Sequence, residues 1–254
     1  MGFDPKIIFK GYSDKVEIIE NNETTVIETN DPFVELKKLL GKSNDQKYRY
    51  LGGAVGVVNY DSIRLVENIS EEHNLTQPIM EFGIYDDGLL YDNVEKKLFY
   101  FYHDVNRYDQ LIVSEDSFDK FHSSEVTPNM DKEKFSSIVN KAKQYIYDGD
   151  IFQVVLSRKF AFDTSGDNLT LYKTLRKLNP SPYMYHLKQD SKTIIGASPE
   201  MLVRITDDKV ETFPIAGTRK ITDNEEKNKA LSDELIHDEK ELAEHTMLVD
   251  LGRN

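Results

Sequence analysis

The sequence predicts a protein of mixed helix and strand, strand-rich in its first half and alternating between helix and strand in its second. Three observations carry this. Short β-branched runs separated by Gly, Asp and Asn fill the first half. After residue 131 apolar residues recur at helical spacing between strand-like runs. Between the halves, 115–131 is polar and rich in Ser, Glu and Asn, which reads as a linker or surface loop. The predicted domains are therefore 1–115 and 131–254.

In chain order, residues 6–10, 15–20 and 24–29 are β-branched runs and read as strands. Asp31-Pro32 opens a helix over 33–40, which Gly41 closes. The apolar, Gly-punctuated stretch 51–60 reads as a buried strand leading into a helix, and 98–103 as an aromatic strand. In the second half, Phe135, Ile138, Val139, Ala142, Tyr145 and Ile146 lie at helical spacing, so a helix is predicted over 134–148, ended by Asp148-Gly149-Asp150. A strand follows over 151–162. Leu171, Leu175 and Leu178 share one face of a helix over 169–178 that Asn179-Pro180 stops. Strands are predicted at 183–188, 193–196, 201–206 and 210–214, the last two joined at Asp207-Asp208. From Glu225 the chain reads as helical, and Asp238 with Glu241 three residues on has the spacing of a capping box.

Composition bounds the function. A chain of 254 residues with 39% hydrophobic and 11% aromatic residues can bury a sizeable core. No apolar run approaches the roughly 20 residues of a membrane helix, and the N-terminus lacks a basic-then-apolar leader. Both point away from a membrane and towards the cytoplasm. With no cysteine, disulfides and thiolate metal sites are excluded. The net charge of −13 disfavours nucleic acid as a partner. It would also repel an anionic substrate, so a site for one must reverse the field locally with a cation or a metal ion.

Polar residues stand in unexpected places in three regions. In Gly149-Asp-Ile-Phe-Gln-Val-Val-Leu-Ser-Arg158, Gln153 and Arg158 interrupt an apolar run; a solvated strand face accounts for this as readily as a site. Asn179-Pro-Ser-Pro-Tyr-Met184, Gly196-Ala-Ser-Pro-Glu200 and Pro214-Ile-Ala-Gly-Thr-Arg219 each put Gly or Pro beside a polar residue at a strand end, where ligands meet sheets, though each alone is a turn. Glu241 and Glu244, three apart, share one helix face. A hard cation such as Mg²⁺ would relieve their repulsion; taken alone, a cap and a solvated charge are the readier explanation.

Together with Lys240-Glu-Leu-Ala-Glu-His-Thr-Met-Leu-Val-Asp-Leu-Gly-Arg-Asn254, these strings stand in the order found in the chorismate-utilising enzymes, and the chain most resembles the large subunit of anthranilate synthase. The resemblance is close from about residue 134 and weaker over 2–103. It implies an α+β fold, with layered antiparallel sheets and outer helices. It also implies a reaction, in which ammonia attacks C2 of chorismate, the C4 hydroxyl leaves and pyruvate is eliminated to give anthranilate.

By the same resemblance Glu200 is the acid for the leaving hydroxyl, with a raised pKa in a closed site. Gly217 and Thr218 contact chorismate, Glu244 is a ligand of a Mg²⁺ ion that meets the substrate carboxylate, and Glu241 belongs to the same metal cluster through water. Gln153 stands where water-adding relatives carry Lys, and Ala216 where aminodeoxychorismate synthase carries Lys. Both favour anthranilate over those products; aminodeoxychorismate synthase and a non-catalytic ligand-binding fragment remain the alternatives. Asn179, Ser181, Pro182, Tyr183 and Met184 resemble part of a pocket for L-tryptophan as feedback inhibitor. A glutamine amidotransferase subunit is the implied source of ammonia. A Leu-Leu-Glu-Ser motif and a second glutamate pair of the family are not in these residues. The expectation is a chain incomplete at both ends, and notably in the C-terminal catalytic half, and inactive alone.

Overall fold

The structure is a computed structural model that describes residues 1–41, 48, 50–69, 77–111, 120–189 and 191–253. The fold is α+β, and the chain divides into two compact units, Met1–Glu115 and Asp116–Asn254.

The first unit contains β1 (Ile7–Gly11), β2 (Lys15–Glu20), β3 (Glu23–Glu28), α1 (Pro32–Leu39), β4 (Gly53–Val58), β5 (Met80–Tyr85), β6 (Asp87–Asp92) and β7 (Lys97–Tyr102). Five strands form an antiparallel sheet in the order β3-β2-β1-β5-β4, and β6 and β7 form a separate hairpin. Asn21 and Asn22, both at positive φ (51° and 64°), make the tight turn from β2 to β3, a conformation that Asn tolerates and that suits the strand twist. The register sets Phe9 opposite Ile18 and Phe82, and Gly11 opposite Val16 and Met80. One sheet face thus gathers Phe9, Val16, Met80 and Ile84, and α1 closes over it with Leu36. Pro32 occupies the first turn of α1, where its missing N–H costs nothing, and Asp31 caps it by accepting the Val34 N–H at 3.1 Å.

Asp87, only 2% exposed, opens β6. Arg107 grips both its carboxylate oxygens, the Tyr100 hydroxyl donates to it at 2.7 Å, and the Arg107 guanidinium donates to the Phe3 and Asp4 carbonyls. This ties the start of the chain to the β6–β7 hairpin. Lys6 bridges Asp86 and Asp104 at 2.9 Å each, and both contacts push its pKa up.

The second unit contains β8 (His122–Ser123), β9 (Thr127–Pro128), α2 (Lys132–Tyr147), β10 (Phe160–Ala161), β11 (Thr164–Ser165), α3 (Asn168–Leu178), β12 (Tyr183–Gln189), β13 (Lys192–Ser198), β14 (Arg204–Thr206), β15 (Lys209–Glu211), α4 (Glu225–His237) and α5 (Glu239–Arg253). Its strands pair antiparallel as β8–β11, β9–β10, β12–β13 and β14–β15. Helix α3 packs on β12 and β13, where the Tyr172 ring meets the His186 ring edge-on at 5.9 Å. Among the described residues no helix is long and apolar enough to cross a membrane.

Several expectations change. Of the predicted strand 151–162, residues 151–159 form no regular element, and only Phe160–Ala161 pairs as a strand. A strand needs a ladder, and without one Phe152 and Val155 stand 85% and 87% exposed. The strands predicted at 201–206 and 210–214 shrink to Arg204–Thr206 and Lys209–Glu211. The predicted linker supplies β8 and β9, which pair with β11 and β10; its residues 115–119 lie outside the described residues, as does Asn254. After β4, which is half-buried rather than buried, comes a 3-10 turn, Tyr60–Leu65, in place of a helix. Strands β5 and β6 had no counterpart in the sequence reading.

Candidate functional site

Strand β13 ends at Ser198, whose hydroxyl donates to the Glu200 carbonyl at 2.8 Å and accepts the Glu200 N–H at 3.3 Å. This local turn brings Glu200 out of the sheet, where it is exposed. Its carboxylate then accepts the Ile215 N–H at 3.1 Å. Residues 200 and 215, separated by the β14–β15 hairpin, are thereby joined, and the segment carrying Ala216, Gly217 and Thr218 is held beside Glu200.

The same segment meets α5. A Cβ on Gly217 would stand 2.5 Å from the Glu241 Cδ and closer still to Oε2. The glycine therefore leaves the space that the Glu241 carboxylate takes. Asp238 caps α5: its Oδ1 accepts the N–H groups of Lys240 and Glu241, each at 3.1 Å. The Glu241 N–H, foremost, holds the Asp238 carboxyl below the usual carboxylate range, with Arg219 adding to this. Only half of the predicted capping box forms, because the Asp238 N–H goes back to the Leu235 carbonyl at 3.4 Å. The Glu241 side chain is thus turned to Gly217 rather than spent on the cap. Glu241 and Glu244 are both half-buried on one face of α5, with Met247 and Leu248.

Carboxylate oxygens are the donors a hard divalent ion takes, and Mg²⁺ needs only one or two of them if it keeps its waters. The donor chemistry of Glu241 and Glu244 fits such an ion. Among the described residues no group of three or more His, Cys, Asp or Glu side chains is arranged to hold a metal ion.

The other predicted residues lie as follows. Gln153 is exposed on the irregular 151–159 segment, and among the described residues no hydrogen bond ties it to Glu200 or Glu241. Arg158 is held locally, donating to the Met130 carbonyl at 2.9 Å beneath the Phe160 ring. Asn179 ends α3, its N–H reaching the Leu175 carbonyl at 2.8 Å. Ser181 and Pro182 lead into β12. Tyr183 pairs with Ser198 and Met184 with Ala197, so strand alternation sends the two side chains to opposite faces of the hairpin. Tyr183 is 42% exposed, and Met184 is half-buried on the face of His186.

The sequence assigns no role to Arg219 and Glu234. The Arg219 Nε donates to Glu234 at 3.1 Å, Nη2 to Asp238 at 3.1 Å and Nη1 to the Thr218 carbonyl at 3.1 Å. An arginine in a turn followed by acidic residues on a helix is the only signal the sequence carries for this clamp.

The chorismate binding enzyme family matches the chain over residues 2–254. Anthranilate synthase component 1 of Acetivibrio thermocellus is 39% identical, over 100% of this chain and 58% of the relative. Aminodeoxychorismate synthase component 1 of Bacillus subtilis is 36% identical, again over 100% of this chain and 58% of the relative. The crystal structure of anthranilate synthase component I from Streptococcus pneumoniae superposes with a TM-score of 0.79 at 32% identity, covering 100% of this chain and 60% of that one. The chain thus spans less than two thirds of the length of these relatives.

Proposed function

The chain belongs to the chorismate binding enzymes, and on that premise we propose that the protein is an anthranilate synthase large subunit, converting chorismate and ammonia to anthranilate and pyruvate. The observation that carries this reading is that one segment, Ile215–Gly217, bonds the Glu200 carboxylate at one end and lies against the Glu241 carboxylate at the other. That is the juxtaposition an acid, a substrate cradle and a metal-bearing carboxylate require.

In this reading Glu200 gives a proton to the C4 oxygen of chorismate as the C4–O bond breaks and water leaves. Ammonia forms the new bond at C2. It is already a nucleophile, so Gln153 need not act as a base. Loss of pyruvate then leaves the aromatic amine. The backbone at Gly217 and the Thr218 hydroxyl donate to the substrate. Glu241 and Glu244 would hold a Mg²⁺ ion, which when bound supplies positive charge for the substrate carboxylate in a protein whose net charge is −13. Ala216 has no amine, so it cannot form the covalent adduct at C2 that leads to the 4-amino product. A glutamine amidotransferase subunit supplies the ammonia. Asn179, Ser181, Pro182, Tyr183 and Met184 contribute to a site for L-tryptophan as inhibitor. The cytoplasm is the proposed location.

Glu200→Gln in the intact protein tests this. With chorismate, ammonium and Mg²⁺, anthranilate fluorescence should fall about a hundredfold or more, with the circular dichroism spectrum unchanged. Undiminished turnover removes Glu200 as the acid. A 4-amino product from the unaltered protein assigns it to the aminodeoxychorismate synthases instead.

A further inference from the structure

Arg219 closes the Pro214-Ile-Ala-Gly-Thr-Arg219 segment and reaches three ways. It holds Glu234 of α4, Asp238 at the α4–α5 corner and the carbonyl of its own neighbour Thr218. Asp238 divides its carboxylate between two tasks. Oδ2 takes the Arg219 guanidinium, and Oδ1 takes the first amides of α5, including that of Glu241. One carboxylate thus connects the segment carrying Gly217 to the helix turn carrying Glu241, whose side chain fills the space beside Gly217.

Other bonds settle the parts around this clamp but do not replace it. Asn228 of α4 accepts the Thr222 N–H at 2.8 Å and donates to the Thr222 carbonyl at 2.7 Å, which fixes the loop beyond Arg219 to α4. No such bond crosses to α5 among the described residues. The Arg219 guanidinium is the cationic side chain in ion-pair contact with both Glu234 and Asp238, with 24% of its side chain exposed.

We propose that Arg219 is a positioning residue: through Glu234 and Asp238 it sets the α4–α5 corner so that the Glu241 carboxylate lies against Gly217. Its planar fork suits the task, because one guanidinium can hold two carboxylates at fixed angles while an ammonium acts as a point charge. The inference deepens the functional reading and rests on it only for its consequence in catalysis; the geometric claim stands apart.

The test has two arms. The protein has no cysteine, so spin labels placed at Lys220→Cys and Lys240→Cys report the separation of the two segments directly. Arg219→Gln should broaden that distance distribution, and Arg219→Lys should restore it in part. An unchanged distribution in Arg219→Gln overturns the proposal, whatever the reaction proves to be. In the second arm, Mn²⁺ binding is followed by its paramagnetic resonance, with Mn²⁺ standing for the divalent ion, and the KM for chorismate is measured beside kcat. Arg219→Gln should weaken Mn²⁺ binding and raise KM by about tenfold, with a smaller change in kcat. Arg64→Gln, which breaks a part-buried pair with Asp61 in the first unit, should change neither. If Glu241→Gln weakens Mn²⁺ binding while Arg219→Gln does not, Arg219 does not position the carboxylate. If Glu241→Gln leaves Mn²⁺ binding unchanged, the metal role of Glu241 falls, and the spin-label arm still decides the role of Arg219.

Discussion

A methyl group at position 217 would take the space that the Glu241 carboxylate occupies. The atoms it meets are the far end of a flexible side chain, so the helix need not move; the carboxylate swings away. Gly217→Ala is therefore expected to cost under about 1 kcal/mol of stability, in the range of ordinary single substitutions, yet to raise the KM for chorismate and weaken divalent-ion binding. Wild-type binding in a well-folded Gly217→Ala protein would contradict this. Gly149 gives the contrast. Its φ is +82° and a Cβ there would meet open space, so it is required by the backbone, at the left-handed turn that ends α2. Gly149→Ala is expected to lower stability by about 1 kcal/mol and leave ligand binding alone, as denaturant unfolding and a binding titration would report. The sequence marks Gly149 plainly, inside Asp148-Gly149-Asp150. The demand on Gly217 is set by a residue 24 positions later in the numbering, which no local pattern reveals.

Helices were the most legible elements because their signals are local. Asp31, Asp131, Asp167 and Asn224 each precede a helix and accept a first-turn amide, as residues with short polar side chains do. Asp167→Ala illustrates the strength of such a cap. It removes the acceptor for the Leu169 N–H at 2.8 Å and should cost about 1 kcal/mol, read as a shift of the thermal midpoint. Asp167→Ser should recover most of it; a midpoint unmoved by Asp167→Ala would deny the cap its role. Strands were less legible because a strand is defined by its neighbour. The run Ile-Phe-Gln-Val-Val-Leu has strand composition, yet residues 151–159 have no ladder partner. Conversely β5 and β6 meet at Asp86-Asp87-Gly88, which reads as a turn. Asp87 nonetheless enters a buried strand position, because Arg107 and Tyr100 satisfy its carboxylate. The compensation comes from residues 13 and 20 positions away, beyond any periodicity.

At the scale of the molecule, the candidate site residues were legible only through the whole set of strings in order. Glu200, Ala216, Gly217 and Glu241 each had a bland local reading, and it is tertiary structure that joins the first to the last. Long-range charge pairing also shapes the first unit's response to acid. Arg107 holds the Asp87 carboxyl below its ordinary value of 3.8, and the Tyr100 hydrogen bond adds to the effect. The folded protein therefore takes up this proton less readily than the unfolded chain. The stabilisation is fully present above about pH 4 and is lost as pH falls through the lower, folded value.

Arg107→Ala removes the cation and leaves a carboxylate only 2% exposed without it, which should cost about 3 kcal/mol or more at neutral pH. The deficit should not be constant. In the variant, burial without a cation favours the protonated acid, so acid relieves the variant while it strips the wild type of its ion pair. The difference in urea midpoint between the two proteins, followed by circular dichroism, is expected to be largest near pH 7, to begin shrinking above pH 4 as the buried acid of the variant takes up its proton, and to shrink further below pH 4 as the wild type loses its ion pair. A difference that stays the same from pH 7 to pH 3 would mean that Arg107 stabilises the unit by its packing on Phe3 and its bonds to the Phe3 and Asp4 carbonyls, and not through the charge of Asp87.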